Sequence, residues 1–280
     1  MPSHDLEYPK QAYSTVNRYN HQACYELETI HQIINSSPLV NVAFIVPGSP
    51  FPMTLPMIGQ MGSFTRPSAD EGDPLDLYIH GYVSSRIMNM SRKSTSRAHE
   101  GEDGLPVTVT ASHVDGLVLT LTPYSHNYNY RSAVLFGYAT IVSDASEKLY
   151  AMELITNSVV PDRWANTRVP PTGAEMQSTS ILKVKITTGS AKVRTGPTMP
   201  GDEKEIDTDD KELVDRVWTG VIPVYTALGE PVPGPFNTMQ TLPPYLGEHL
   251  EQMNADAKEM ATEIATKHTG QKKHDDFNES

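Results

Sequence analysis

The sequence predicts a mainly β protein, a closed antiparallel β-barrel with a few helices inserted between its strands. Short runs rich in Val, Ile, Thr and Leu recur about seven or eight times along the chain, and turn residues separate them. Helical spacing of apolar residues is confined to a few segments, so strands and helices do not alternate as βαβ units require. The chain has no internal repeat. These observations together favour a barrel over a parallel sheet.

The first predicted elements are a helix and three strands. A helix is predicted over 24–34 because its apolar residues fall at helical spacing, and Asn-Ser-Ser-Pro ends it. Two strands within 39–61 are separated by the turn residues Pro-Gly-Ser-Pro. A polar loop over 63–75 comes next, and a short strand follows over 75–81.

A hairpin and a second helix are predicted in the middle of the chain. The residues at 114–116, Val-Asp-Gly, separate two strand-like runs, which is typical of a tight β-turn. Another strand covers 131–142, and Asp144 with Glu147 three residues later resembles a capping box that opens a helix. The remaining predicted elements are strands at 180–187 and 216–228 and a helix over 246–264.

These elements predict one folded domain with an extension at each end. Residues 1–20 are polar, lack any period and are predicted to form an arm, whereas 21–233 carry the strands. Residues 234–280 are predicted to form a C-terminal extension with an amphipathic helix and a disordered polar end. Polar runs at 93–104 and 201–212 are predicted to be surface segments.

Composition excludes several classes of function. The 280 residues carry a formal net charge of −12, which argues against nucleic-acid backbones and anionic membranes as partners. The single cysteine, Cys24, excludes an internal disulfide and indicates a reducing compartment. The N-terminus is too polar for a signal peptide, and the most apolar run, 133–142, is far too short to span a membrane. We therefore expect a soluble cytoplasmic protein.

Residues 80–89, His-Gly-Tyr-Val-Ser-Ser-Arg-Ile-Met-Asn, form the first candidate site. A helix beginning near Val83 would place Ser84, Ser85 and Arg86 at or beside its first turn. Free backbone N–H groups and the positive end of the helix dipole favour an anion there, and an arginine matches phosphate oxygens. The alternative is that the serines only cap the helix. The local motif alone does not decide between a phosphate site and a cap.

Residues 125–132 form a second candidate site, where a strand begins. His126, two tyrosines, two asparagines and Arg131 fall within eight positions. A planar ligand could stack on the tyrosines and receive hydrogen bonds from Asn129 or Ser132. A solvated connection whose tyrosines cover the barrel end is the equal alternative.

Other motifs and polar residues indicate no further site. The sequence lacks the glycine-rich dinucleotide and P-loop motifs, the nucleophile elbow and the zinc-protease motif. His80 and His113 have no second ligand at metal-binding spacing, so no metal site is predicted. Lys192 and Arg194 are typical of an ordinary basic strand end.

Taken in order, these stretches resemble the pyridoxamine 5'-phosphate oxidase-like superfamily of FMN-binding split barrels. The likeness is to its flavin-nucleotide-binding or nitroimidazole-resistance-like branch. It rests on LVNVAFIVPGSPFPMTLP, LYIHGYVSSRIMN, the run from PVTVTASH to GYATIV, EKLYAMELITNSVVPDRW, SAKVRTGP and VWTGVIPV, which span most of 25–225. The resemblance implies a six-stranded antiparallel split barrel that forms a homodimer, with FMN in a groove between the subunits.

The resemblance also implies site residues in this chain. A Ser-Arg pair contacts the flavin phosphate in such proteins, which assigns Ser85 and Arg86, with Ser84 and His80 beside them. The second barrel strand lies along the flavin ring, which assigns 53–55. The full set implied to bind the cofactor is Met53, Thr54, Leu55, His80, Ser84, Ser85, Arg86, Arg131 and Ser132. His126 and Tyr130 would face the open side of the ring as catalytic residues beside a small-molecule substrate.

The chain departs from the parent oxidases in ways that affect the expected function. A lysine follows the Ser-Arg pair in pyridoxamine phosphate oxidases, whereas Ile87 occupies that position here. Their basic strand is also replaced by Pro-Met-Thr-Leu-Pro-Met, so pyridoxamine oxidation is not expected. The insertion at 63–75 and the tail after residue 234 fall outside the family core.

Four functions remain open on the sequence alone. The first is an FMN-dependent oxidoreductase acting on a small organic molecule. The second is a non-catalytic flavin-binding or storage protein. The third is a haem-binding split barrel with a histidine such as His126 as axial ligand. The fourth is a dimeric scaffold with a degenerate site.

Overall fold

The computed structural model describes residues 6–95, 103–198 and 209–267. Parts of the predicted N-terminal arm, of both polar surface segments and of the C-terminal end lie outside the described residues, at 1–5, 96–102, 199–208 and 268–280.

The described residues form six α-helices and nine strands. The helices are α1 (Leu27–Asn35), α2 (Arg86–Thr95), α3 (Ala145–Val159), α4 (Gly173–Ser178), α5 (Lys211–Arg216) and α6 (Pro244–Thr266). The strands are β1 (Ala23–Cys24), β2 (Val40–Ile45), β3 (Pro52–Met57), β4 (Gly59–Gly62), β5 (Asp76–Tyr82), β6 (Leu105–Leu119), β7 (Asn127–Ile141), β8 (Thr179–Arg194) and β9 (Gly220–Pro223).

All nine strands belong to one sheet with the order β3-β2-β6-β7-β8-β5-β4, to which β1 adds on β8 and β9 adds on β6. The registers of β2 with β3, β2 with β6, β4 with β5, β5 with β8 and β6 with β9 are antiparallel. The first and last strands of the order, β3 and β4, are separated in the chain by Ile58 alone. The sheet must therefore bend back on itself, as a barrel requires. The mainly β class is confirmed, with nine strands rather than six.

The chain divides into two compact units. Unit 1 comprises Met1–Arg18, Ala23–Ser112 and Ser132–Ala191, and unit 2 comprises Tyr19–Gln22, His113–Arg131 and Lys192–Ser280. The long strands β6, β7 and β8 each contribute residues to both units.

The core of unit 1 includes a cluster beneath α3. Tyr78 of β5 is fully buried and packs with Ala151 and Ile155 of α3. Asp144 caps α3 as predicted, since its carboxylate accepts a hydrogen bond from the Glu147 N–H at 2.7 Å. In a full capping box the Glu147 side chain would bond to the Asp144 N–H. Here its carboxylate accepts hydrogen bonds from the Tyr78 hydroxyl and the Lys183 ammonium, both at 2.8 Å. The cap and the two hydrogen bonds to the Glu147 carboxylate together fix α3 on the sheet.

A buried histidine joins α1 to the insertion at 63–75. The His31 side chain is fully buried; its Nε2 lies 2.7 Å from the Tyr8 hydroxyl and its Nδ1 lies 2.7 Å from the backbone oxygen of Glu71. Since a carbonyl only accepts, Nδ1 carries the proton and Nε2 accepts from tyrosine. Asn35 adds a bond to the Glu71 carboxylate at 3.0 Å. Both the insertion and the segment around Tyr8 are thus fixed to α1.

The hairpin predicted at 114–116 is wrong, because β6 runs without interruption from Leu105 to Leu119. Gly116 is not among the glycines with positive φ. A Cβ at this position would lie 2.7 Å from Val221 Cγ1, so the glycine allows β9 to approach rather than allowing the chain to turn. The carboxylate of Asp115, which a turn would have used locally, binds Arg131 instead.

The second strand predicted within 39–61 is divided at Ile58 into β3 and β4, and the other predicted elements are confirmed with changed ends. The last strand is only Gly220–Pro223, and Lys211–Arg216 before it is helical. Between α3 and β8 the chain also forms α4, which Thr172 and Glu175 open with a capping box. Helix α6 extends over Pro244–Thr266. No helix among the described residues combines the length and apolar character that crossing a bilayer requires.

Candidate functional site

The turn before α2 leaves a buried hydroxyl free. The Ser85 N–H donates to the Tyr82 oxygen at 2.9 Å, and the Ser85 oxygen accepts the first helical bond from Asn89 at 3.0 Å. Ser85 is therefore the N-cap residue, whose side chain ordinarily accepts from the N–H of N2 or N3. Within the described residues, its Oγ is buried and has no hydrogen-bond partner. Ser85 does not cap the helix in the usual way, and its hydroxyl remains available to a ligand.

Ser84 and Arg86 lie exposed beside this hydroxyl in the chain. Helix α2 begins at Arg86, as the apolar spacing predicts to within three residues. The Ser84 backbone oxygen is fixed by the Asn89 side chain at 3.0 Å. The first-turn N–H groups have no earlier helical carbonyls to bind, so the site combines donors, the dipole and an arginine charge. This combination suits an anion.

Strands β3 and β5 come together next to the same turn. A Cβ at Gly81 would lie 2.9 Å from Met88 Cε, 3.5 Å from Met57 Cε and 3.8 Å from Ser85 Oγ. Residues of β3, β5 and α2 therefore meet around position 81, where glycine leaves space. This brings the strand carrying 53–55 close to the start of α2.

Met53, Thr54 and Leu55 lie on an edge of the sheet. In the described sheet β3 pairs only with β2, where Thr54 faces Ala43. Met53 and Leu55 are half-buried, whereas Thr54 is exposed. Proline has no N–H, so Pro52 and Pro56 suit positions whose backbone points away from β2. Backbone groups alternate in direction along a strand, and Thr54 lies two positions from each proline. Its N–H therefore points toward the free edge of the sheet, as the backbone of Pro52 and Pro56 does.

His80 lies on β5 opposite Ile181 of β8. Its ring has substantial solvent exposure, yet the protein atoms around it desolvate it enough to lower the pKa below its ordinary value. The neutral imidazole is therefore favoured, and because side chains alternate along β5 the His80 ring lies on the face opposite to the one on which Gly81 approaches Ser85.

Unit 2 contains the other group of candidate residues. His126 is exposed, and its Nδ1 accepts a hydrogen bond from the Thr120 N–H at 3.1 Å. Because Nδ1 is an acceptor, the neutral ring carries its proton on Nε2. Tyr130 is half-buried on β7. The geometry gives His126 a donor nitrogen that points away from the backbone bond.

Arg131 has an acidic partner. Its Nε and Nη2 donate to the two oxygens of Asp115, each at 2.9 Å. Arg131 is the last residue of this part of unit 2, and Ser132, half-buried, is the first residue of the β7 segment in unit 1. The predicted cofactor-binding residues thus fall into one group around β3 and α2 and a second around β7.

A fully buried amide, Asn129, precedes Arg131 on β7. Asn129 is fully buried, and its Oδ1 accepts from Arg194 Nη1 at 2.6 Å. Its Nδ2 has no hydrogen-bond partner within the described residues. The spacing of polar residues pointed to Asn129, but nothing in the sequence pairs it with Arg194, since 65 positions separate them. The described residues contain no group of three or more His, Cys, Asp or Glu that could hold a metal ion.

A mainly antiparallel barrel with a free hydroxyl and an exposed arginine at the start of α2 is the arrangement that this fold and turn define. The family model for pyridoxamine 5'-phosphate oxidase matches residues 26–193, and the chain belongs to this family. A search of curated proteins finds no match.

A comparison with solved structures finds similar chains. The flavocytochrome Anf3 from Azotobacter vinelandii is 27% identical, with a TM-score of 0.64 over 85% of this chain and 97% of that chain. The FAD and haem binding protein from Mycobacterium smegmatis is 25% identical, with a TM-score of 0.62 over 82% and 97%. A Bacteroides thetaiotaomicron protein assigned to 5-nitroimidazole antibiotic resistance is 18% identical, with a TM-score of 0.45 over 61% and 86%.

Proposed function

We propose that the chain binds a flavin nucleotide whose phosphate lies at the start of α2, and that it is an oxidoreductase. The observation that carries this proposal is the buried Ser85 hydroxyl without a partner, at the cap of a ten-residue helix. A buried polar atom left unpaired is unfavourable by about 1–3 kcal/mol, so its retention beside an anion-favouring turn supports a ligand there.

Each residue around the turn has a role in this proposal. Ser85 Oγ and the free N–H groups of the first turn donate to phosphate oxygens, and Arg86 supplies the positive charge. Ser84 offers a second hydroxyl at the surface. The neutral His80 ring adds a polar group without bringing a second charge. With Ile87 in place of a lysine, the site holds its phosphate through fewer charges than the parent oxidases do.

The exposed edge of β3 fits the ring of the same ligand. Thr54 offers a backbone N–H, and the half-buried Met53 and Leu55 side chains supply apolar surface against which a planar ring can lie. When bound, the flavin supplies the hydride or electron transfer, and the protein holds it and limits its access to water. FMN is the expected nucleotide, and the FAD of the Mycobacterium protein makes FAD the alternative.

Proton handling is assigned to the second group of residues. His126 holds its proton on Nε2 because Nδ1 accepts from Thr120, so it can donate to a small organic substrate. Tyr130, on β7 shortly after His126 in the chain, is a second donor. Arg131 and Ser132 complete the group, in the cofactor-binding role implied by the family resemblance. A homodimer with the flavin at the subunit interface, in the cytoplasm, completes the proposal.

A flavocytochrome is the second candidate, because two neighbouring structures are a flavocytochrome and a protein that binds FAD and haem. An axial histidine that binds iron through Nε2 must carry its proton on Nδ1. His126 has the opposite arrangement while Nδ1 accepts from Thr120. In this conformation His126 is better suited to donating a proton than to binding iron.

The test is an absorption spectrum of freshly purified protein, followed by heat release and mass analysis of what dissociates. Flavin bands with released FMN support the proposal, whereas released FAD supports flavin binding and corrects the nucleotide. A Soret band selects the flavocytochrome. A protein that is colourless and does not bind added FMN or FAD overturns flavin binding. If the bound flavin can be reduced but the protein does not catalyse electron transfer from a nicotinamide cofactor to an added acceptor, a storage role is favoured over catalysis.

A further inference from the structure

An exposed, proline-rich segment lies between β9 and α6. Every residue over 229–242 is exposed. From here on, the arm means this segment and not the N-terminal arm predicted over 1–20. The arm carries four large apolar side chains, of which Val232 is 90% exposed and Phe236 is 96% exposed, together with Met239 and Leu242. Apolar side chains exposed singly are common, but several together on one short segment indicate an interaction surface.

The arm is held at both ends. The backbone N–H and oxygen of Leu228, just before it, bind the side chain of Asn254 on α6 at 2.7 and 3.0 Å. Its other end leads directly into α6 at Pro244. Hydrogen bonds within the arm are local, from Asn237 to Gly234 and to Met239. The arm is thus a tethered loop, and its prolines favour an extended conformation.

Charge identifies the kind of partner. The arm contains a single charged residue, Glu230, in a chain with a net charge of −12. The net charge disfavours association of two copies, and contact between uncharged surfaces adds no further like-charge repulsion. An apolar, uncharged surface is therefore the favoured counterpart of the arm in a contact between copies.

Unit 1 contains a groove with this property. It has a volume of about 310 Å³, and none of the residues that line it is charged. Its aromatic wall includes Tyr13 against Phe136, with ring centroids 5.1 Å apart, and Tyr138. Its rim includes Pro52 and Ile45, which is 66% exposed. Aromatic-lined grooves bind proline-rich extended segments, because such segments lose little conformational freedom on binding.

We propose that the arm of one copy binds in this groove on a second copy of the chain, with Val232 and Phe236 as the main contacts. This inference rests on the proposed homodimer and adds to it a specific pair of surfaces.

Disulfide cross-linking between copies tests the pairing. In a Cys24→Ser background, protein with Phe236→Cys is mixed with protein carrying Ile45→Cys under mild oxidation. Control protein carries Val159→Cys, at a position 60% exposed on α3. We expect a 45–236 link, identified by peptide mass, well in excess of any 159–236 link. A 45–236 yield no higher than the control overturns the proposal.

Light scattering gives an independent readout. We expect the double variant Val232→Ser/Phe236→Ser to dimerise at least roughly tenfold more weakly, as loss of central apolar contacts does, whereas Val159→Ser should match the unchanged chain. Equal dimerisation of all three proteins overturns the arm contact and leaves the homodimer standing. A monomer at every concentration overturns both. Flavin content is measured separately by absorption, so a flavin-free dimer counts against the proposed function but not against this pairing.

Discussion

The guanidinium of Arg131 binds the carboxylate of Asp115 through two hydrogen bonds of 2.9 Å. The side chains are only 19% and 6% exposed, so this pair lies largely away from solvent. When one member of a buried ion pair is removed, the other charge stays desolvated without compensation. Loss of either partner should therefore have a larger effect than loss of a surface ion pair.

Replacing one member of this pair should destabilise the fold. We expect Asp115→Ala to lower the free energy of unfolding by about 3–5 kcal/mol, because it leaves the Arg131 charge partly buried and unpaired. Urea unfolding measures this loss. The double variant Asp115→Ala/Arg131→Met should lose less than the sum of the two single losses. Additive losses would show that the two residues are not coupled.

Removing donors at the start of α2 should weaken flavin binding. We expect Arg86→Ala to reduce the binding free energy by about 1.5–3 kcal/mol and Ser85→Ala by about 0.5–1.5 kcal/mol. Titration of apoprotein with flavin, followed by fluorescence quenching, gives the dissociation constants. Lys93→Ala is the control, since it removes the same charge from the last turn of α2. If it weakens binding as much as Arg86→Ala does, the effect belongs to net charge and not to the turn.

His31 should make stability depend on pH in the acidic range. Burial lowers the pKa of His31 from 6.5 to about 4, so the unfolded chain takes up this proton first as the pH falls. The free energy of unfolding should then decrease by up to about 1.4 kcal/mol per pH unit between pH 6.5 and 4 from this group. Urea unfolding at a series of pH values measures the slope.

A matched variant separates His31 from its neighbours. Burial raises the pKa of nearby Asp76, which changes stability in the opposite direction over part of this range. His31→Gln should be less stable than the unchanged chain at pH 7 but have a shallower decline toward pH 4. An unchanged slope in His31→Gln would show that the histidine does not control this response.

The close approach at Gly116 should be sensitive to one added methyl group. We expect Gly116→Ala to lower the free energy of unfolding by about 1–3 kcal/mol, because its Cβ would lie 2.7 Å from Val221 Cγ1. Thermal unfolding measures the loss. Val221→Ala restores space, so Gly116→Ala should lower the free energy of unfolding by less in the Val221→Ala background than in the unchanged chain. An equal loss in both backgrounds would point to a backbone effect rather than crowding.

Local signals predicted much of the fold. Apolar spacing located α1, α3 and α6, and the Asp144 cap is seen in the structure, because such features depend on residues a few positions apart. The hairpin failed because Val-Asp-Gly suits a turn locally, whereas Gly116 is required by a strand more than a hundred positions later. Short elements such as α5 and β9 have too few residues for a clear period.

The candidate site was predictable to a similar extent. Serines and an arginine at a helix start indicate an anion site from the sequence, but they equally indicate an ordinary cap. The free Ser85 hydroxyl that separates these readings depends on side-chain geometry, which no local pattern encodes. The partners of Arg131 and Asn129 depend on which strands lie side by side, and pairing over such distances is set by the whole sheet.

The two prolines of β3 also limit how the protein can aggregate. An open strand edge ordinarily recruits strands from other molecules, and such recruitment can continue into fibrils. With Pro52 and Pro56 in the strand, an incoming chain would find hydrogen-bond donors missing at two of the three positions, 52, 54 and 56, that face the free edge. The edge can remain open to a small planar molecule, which needs only one or two backbone bonds, and still resist growth of the sheet during synthesis or at high concentration.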